Sequence, residues 1–60
     1  MIERVFSIET IQKGEAEGTL MIMLRDKQYD SVIMLTIPSN DFSKLGVFPG
    51  ADVKITIEKA

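Results

Sequence analysis

The chain has no cysteine, no histidine and no tryptophan. Without cysteine there is no disulfide to tie a small fold together. Without cysteine or histidine a zinc site is disfavoured, since carboxylates alone rarely make one. The same absence leaves Ser7, Ser31, Ser39 and Ser43 without the imidazole base that a serine nucleophile uses. No apolar run approaches the roughly 20 residues a membrane helix needs. No charged segment followed by an apolar one opens the chain, so a secretory leader is not expected. A basic excess is missing too: seven basic against nine acidic residues give a net charge of −2. That balance argues against a broad nucleic-acid-binding surface, although a local patch can still bind. Gly14 and Gly18 are too few and too far apart to cradle a phosphate.

Sixty residues make one domain, 1–60. A domain of this size buries only about 60% of the surface its unfolded chain exposes. Chain entropy then nearly cancels the hydrophobic gain. With disulfide and metal set aside, oligomerisation is the remaining source of stability. The 45% hydrophobic content is generous for so small a chain, and part of it is expected at a homodimer interface.

What is present reads as short elements with clear punctuation. Over Ile2–Ile11, Ile2, Arg4, Phe6, Ile8 and Thr10 alternate with Glu3, Val5, Ser7, Glu9 and Ile11. The period of two and the β-branched content predict a strand. Gln12–Gly18 is polar with two glycines and reads as a loose hairpin connection. Thr19–Arg25 predicts a second strand, with Leu20 to Leu24 buried on both faces or at an interface; a short buried helix competes for that run. Asp26–Ser31 is a polar turn, and Val32–Ile37 a third strand that Pro38 ends. Ser39, Asn40 and Asp41 offer helix N-cap oxygens. Phe42 and Leu45 fall on one face of a short helix, Gly46 suits its C-terminal cap, and Pro49-Gly50 suits a type II turn. Val53, Ile55 and Ile57 alternate with Lys54, Thr56 and Glu58 as a half-buried last strand. The expected fold is mostly β, a small α+β domain of order β-β-β-α-β.

Ile37-Pro38, a six-residue interval, Leu45-Gly46-Val47, then Pro49-Gly50 and Val53 carry a resemblance. In this spacing the chain resembles the AbrB/MazE/SpoVT family of swapped-hairpin transcription factors, over residues 19–58. Asp30 to Thr36 is similar to the strand before the proline in archaeal-type members. Residues 1–18 would be an added N-terminal strand and loop. The resemblance implies an intertwined, hairpin-swapped homodimer that meets duplex DNA through basic residues on one face. Three features depart from the pattern. The family usually places an apolar residue three after the proline, where this chain has Asp41 with Phe42 following. Ala51 stands where the family places aspartate directly after Pro-Gly. Ser39, Asn40 and Asp41 stand where members often carry lysine or arginine, so those cations are absent here.

The resemblance implies a small dimeric DNA-binding regulator or antitoxin-like protein; the small size and the missing histidine argue for a non-enzymatic protein with no cofactor, and the absence of cysteine suits the cytoplasm. Arg4, Lys13, Arg25 and Lys27 are the candidate phosphate contacts, against an ordinary role as solubilising charge neutralised by Asp26 and Asp30. Pro38, Leu45, Gly46, Pro49 and Gly50 form the structural motif. Tyr29 either stacks on a base or covers the rim of the core. Met21, Met23 and Met34 fill a core or an adaptable interface. Glu9, Glu15 and Glu17 read as solvated loop charges rather than an acid–base or cation site. The acidic balance supports an alternative: a small β-barrel adaptor that binds a protein through a strand edge or its methionine-rich surface, and no nucleic acid.

Overall fold

Strand and turn signals dominate the chain, and the fold follows them. A computed structural model describes residues 1–60 as four antiparallel strands and one short helix. The strands are β1 (Ile2–Lys13), β2 (Thr19–Asp26), β3 (Val32–Pro38) and β4 (Asp52–Ile57), with α1 (Ser39–Ser43) between the last two. They form one sheet in the order β3-β2-β1-β4, curled into a half-barrel. The expected mostly β architecture and element order are those observed.

The inner face of the sheet carries the core. Phe6 and Ile8 of β1, Ile22 and Leu24 of β2, and Phe42 of α1 are buried together. Ile11, Leu20, Ile33, Ile37, Val47, Val53 and Ile55 pack around them. The chain crosses from β3 to the far edge of the sheet through α1 and the following loop, and Phe42 and Val47 are its contribution to the core. The apolar run of β2 is not buried on both sides. Ile22 and Leu24 point inward and are buried, whereas Met21 and Met23 lie on the outer face and are half-buried.

Strict alternation along β1 places Ile11 opposite Ile8, and here the structure corrects the sequence pattern. Ile8 pairs with Leu24, but Thr10 pairs with Met23 and Ile11 with Ile22, so Glu9 is an extra residue in the ladder. This bulge turns Glu9 and Thr10 outward, where both are exposed, and returns Ile11 to the core side. A bulge also bends the strand and sharpens its twist, which suits a sheet that curls. β1 continues to Lys13, two residues beyond the predicted end, because its hairpin with β2 pairs Lys13 to Leu20.

The turn signals in the second half hold closely. Gly46 and Gly50 adopt φ of 65° and 94°, a region that costs glycine nothing. The Ala51 N–H donates to the Phe48 carbonyl at 2.9 Å. With positive φ at Gly50 after Pro49, that bond is the pattern of a type II turn.

The start of α1 differs from expectation. Pro38 occupies the N-cap position and no side chain caps the helix. The Ser39 hydroxyl and its N–H instead both donate to the Gly18 carbonyl, at 3.0 and 2.8 Å. Ser39 thus ties the helix to the β1–β2 hairpin rather than to its own first turn. Leu45 differs too: Phe42 is buried, but Leu45 is 62% exposed. The helix ends at Ser43, so Leu45 lies beyond its last turn and does not share the Phe42 face.

Ile22 is 1% exposed at the centre of the core. Replacing it with alanine should cost about 2–5 kcal/mol, as for other buried large-to-small changes. Gln12→Ala on the exposed side of β1 should stay within about 0.5 kcal/mol. Urea unfolding followed by circular dichroism measures both.

Candidate functional site

The inner face of β2 runs Leu20, Ile22, Leu24 and then Asp26, a carboxylate at the end of an apolar stripe. Asp26 is 4% exposed. A buried carboxylate has to be hydrogen-bonded or paired to stay charged, and this one is both. Its Oδ1 accepts from the Gln28 and Tyr29 backbone N–H groups at 2.7 and 3.1 Å. Its Oδ2 accepts from the Arg4 guanidinium. Arg4 reaches it because Arg4 and Phe6 share the inner face of β1, and Phe6 lies opposite Asp26. The Arg4 guanidinium carbon also sits 4.3 Å from the centre of the Tyr29 ring, a cation–π contact.

Burial pushes the Asp26 carboxyl upward. The Tyr29 and Gln28 backbone hydrogen bonds and the Arg4 contact outweigh it, and the net displacement is downward. Asp26 also anchors the β2–β3 turn. Its N–H donates to the Ser31 carbonyl at 2.7 Å, and its carbonyl accepts from Asp30 N–H at 2.9 Å. Asp30 closes that turn with φ of 61°, in the left-handed region that aspartate tolerates better than most residues. The Lys27 N–H donates to the Val5 carbonyl at 3.1 Å, which fixes the turn to β1.

The four candidate cations do not form one patch. Arg4 lies on the inner face, bound to Asp26. Arg25 lies on the outer face between Ser7 and Val32. It bonds Glu9 and, at 3.3 Å, Asp30. The Glu9 hydrogen bond and charge raise the Arg25 pKa further above its usual value. Lys27 is 2.8 Å from Asp52. Lys13 stands at the other end of the sheet, opposite Leu20; from Leu20 to Asp26 along β2 is roughly 20 Å. Lys54 approaches Glu3 at 3.7 Å. Lys13, Lys44 and Lys59 form no ion pair.

Tyr29 is exposed and lies at the end of the sheet, one ring face toward Arg4. The methionines behave as a group. On the outer face Met23 stands between Thr10 and Met34, and Met21 between Gln12 and Thr36. Val32 adjoins them beyond Arg25. No other element covers this side, since α1 packs its one buried residue, Phe42, into the inner core. Leu45 and Phe48 add exposed apolar surface in the crossover, Phe48 at 68%. Local sequence gives Asp26 only the role of a turn residue that neutralises basic neighbours. The signal for its buried role was the period of two from Leu20 to Leu24, which places position 26 inward.

No protein-family model, no curated protein and no solved structure matches the chain. No helix is long and apolar enough to cross a membrane.

A carboxylate whose folded pKa lies below its unfolded value stabilises the fold above the unfolded pKa. That contribution is lost as pH falls through the folded value. Asp26 is displaced downward from 3.8. The urea midpoint should therefore drop as pH is lowered from about 4, near the ordinary carboxylate value, toward 2. Asp26→Asn should unfold more readily at neutral pH and lose part of that acid dependence. An Asp26→Asn midpoint that falls with acid as steeply as wild type would remove the assignment.

Proposed function

We propose that the chain is a non-enzymatic protein-binding module that works as a homodimer, with the outer side of its sheet as the recognition surface. The observation that carries this reading is the uncovered apolar strip of Met21, Met23, Met34 and Val32. Methionine is flexible and polarizable, and suits surfaces that accommodate a partner. A contiguous apolar patch on a small domain also points to an interaction site. The electrostatics agree. Arg4, Arg25 and Lys27 each bind a carboxylate of the same chain, so a phosphate would have to displace an existing partner. The absence of histidine and cysteine supports the non-enzymatic part of the reading.

A second reading, a dimeric DNA-binding regulator or antitoxin-like protein with swapped hairpins, is favoured by one feature. The Pro38-to-Gly50 spacing that resembles the AbrB-type family coincides with a strand end, a positive-φ Gly46 and a Pro49-Gly50 turn. Each of these also has a local cause, and the cations that reading requires are scattered, with Arg4, Arg25 and Lys27 paired and Lys13 alone at the other end of the sheet. DNA binding would then depend on breaking the Arg25 and Lys27 ion pairs.

Labelled duplex DNA, titrated at low and at moderate salt, separates the two, with mass read by sedimentation. The module reading expects a dimer and no DNA complex even at low salt. Binding that falls steeply with salt and is abolished by R25E/K27E would replace it with the regulator reading. Sedimentation as a monomer at high concentration would remove the homodimer.

A further inference from the structure

The geometry points to the free edge of β3 as the seam of the homodimer, pairing antiparallel with β3 of a second copy about a two-fold axis at Leu35. This rests on the homodimer of the preceding section and specifies which surface makes it.

The sheet has two free edges, β3 and β4, and they differ in chemistry. β4 carries Asp52 and Lys54, with Glu58 following it. β3 is Val-Ile-Met-Leu-Thr-Ile-Pro, without a charge from Val32 to Pro38. Its ladder with β2 is regular from Arg25↔Val32 to Thr19↔Pro38, with no bulge. Proline stands only at its last position. Protein edges are ordinarily guarded by charge, a central proline, a bulge or a covering element. β3 has none of the first three. The helix that follows it packs Phe42 into the core and leaves Met34 53% and Leu35 39% exposed. An edge of this kind is a template for another strand.

The strand is also complementary to itself. A two-fold axis normal to the sheet keeps each residue on its own face, so a residue on the axis must face its own copy. Leu35 is the middle of the seven residues, and only an axis there pairs all seven. Leu35 then meets Leu35 of the second copy, and Ile33 meets Ile37, on the inner face. Met34 meets Thr36, and Val32 meets Pro38, on the outer face. No charge faces a like charge, and apolar cross-strand pairs stabilise such a ladder. The two half-barrels become one continuous sheet. The inner cores approach through Ile33, Leu35 and Ile37, and the outer methionine strips of the two copies join.

The chain's lack of cysteine makes a direct test clean. Directly opposed residues in an antiparallel pair have Cα atoms about 4.5–5.5 Å apart, within disulfide range. Leu35→Cys should form a disulfide-linked dimer on mild oxidation, about tenfold or more faster than Ile57→Cys on the opposite edge. Met34→Lys, which adds the guarding charge to the edge, should weaken the dimer about tenfold or more in sedimentation. Its circular dichroism should be unchanged. Should Met34→Lys fail to fold, the cross-linking rates decide. A wild-type dimer in which Leu35→Cys links no faster than Ile57→Cys overturns the β3 seam and leaves the homodimer standing. A wild-type monomer overturns both.

Discussion

The extra residue at Glu9 keeps Ile8 and Ile11 on one side of the longest strand. Without it, twelve residues of regular alternation would turn Ile11, the last apolar side chain of β1, to the outside. The bulge lies where two pairings meet. The N-terminal half of β1 pairs with β4, from Ile2↔Ile57 to Ser7↔Asp52. Ile8 continues that contact, donating to the Ala51 carbonyl at 2.9 Å and accepting from the Gly50 N–H at 2.8 Å. Past the bulge, β1 pairs with β2 alone. One irregularity thus sets the curl of the sheet, the phase of the core stripe and the place where the Pro49-Gly50 turn docks.

The same logic explains the charge arrangement. The inner stripe of β2 ends on Asp26, and the inner stripe of β1 begins near Arg4. The half-barrel brings these two ends together, so a buried acid acquires a guanidinium and two backbone donors. On the outer face the bulge delivers Glu9 to Arg25. Arg4 and Arg25, which look available in the linear sequence, are thereby engaged, as Lys27 is by Asp52. This bears directly on function, because phosphate binding needs converging, unneutralised charge. The sheet also leaves apolar surface uncovered in the methionine strip and the β3 edge beside it.

A core of five buried apolar side chains is small for a chain of 60 residues. Small domains gain most from added burial. The proposals for a homodimer and for its β3 seam address that shortage with surface already in place. They also connect the two apolar features, since strand pairing at β3 extends the outer strip of one copy into that of the other.

Local chemistry made much of the fold legible. Alternation located β1 and β4, Pro38 marked the end of β3, and Gly46 and Pro49-Gly50 marked their turns, because each effect acts within a few residues. The order of the elements followed. The strand neighbours and the phase change at Glu9 were not legible, because they depend on which strand lies opposite; nor was the exposure of Leu45, which follows from the helix ending at Ser43. The candidate site was legible only as residue types. Arg4, Arg25 and Lys27 were visible as cations; their partners Asp26, Glu9 and Asp52 lie 22, 16 and 25 residues away. The sequence by itself determined the strands, their turns and the absence of thiol and imidazole chemistry. Only the tertiary structure decided which charges are neutralised and which apolar surface is left uncovered, because both are set by pairing between distant segments.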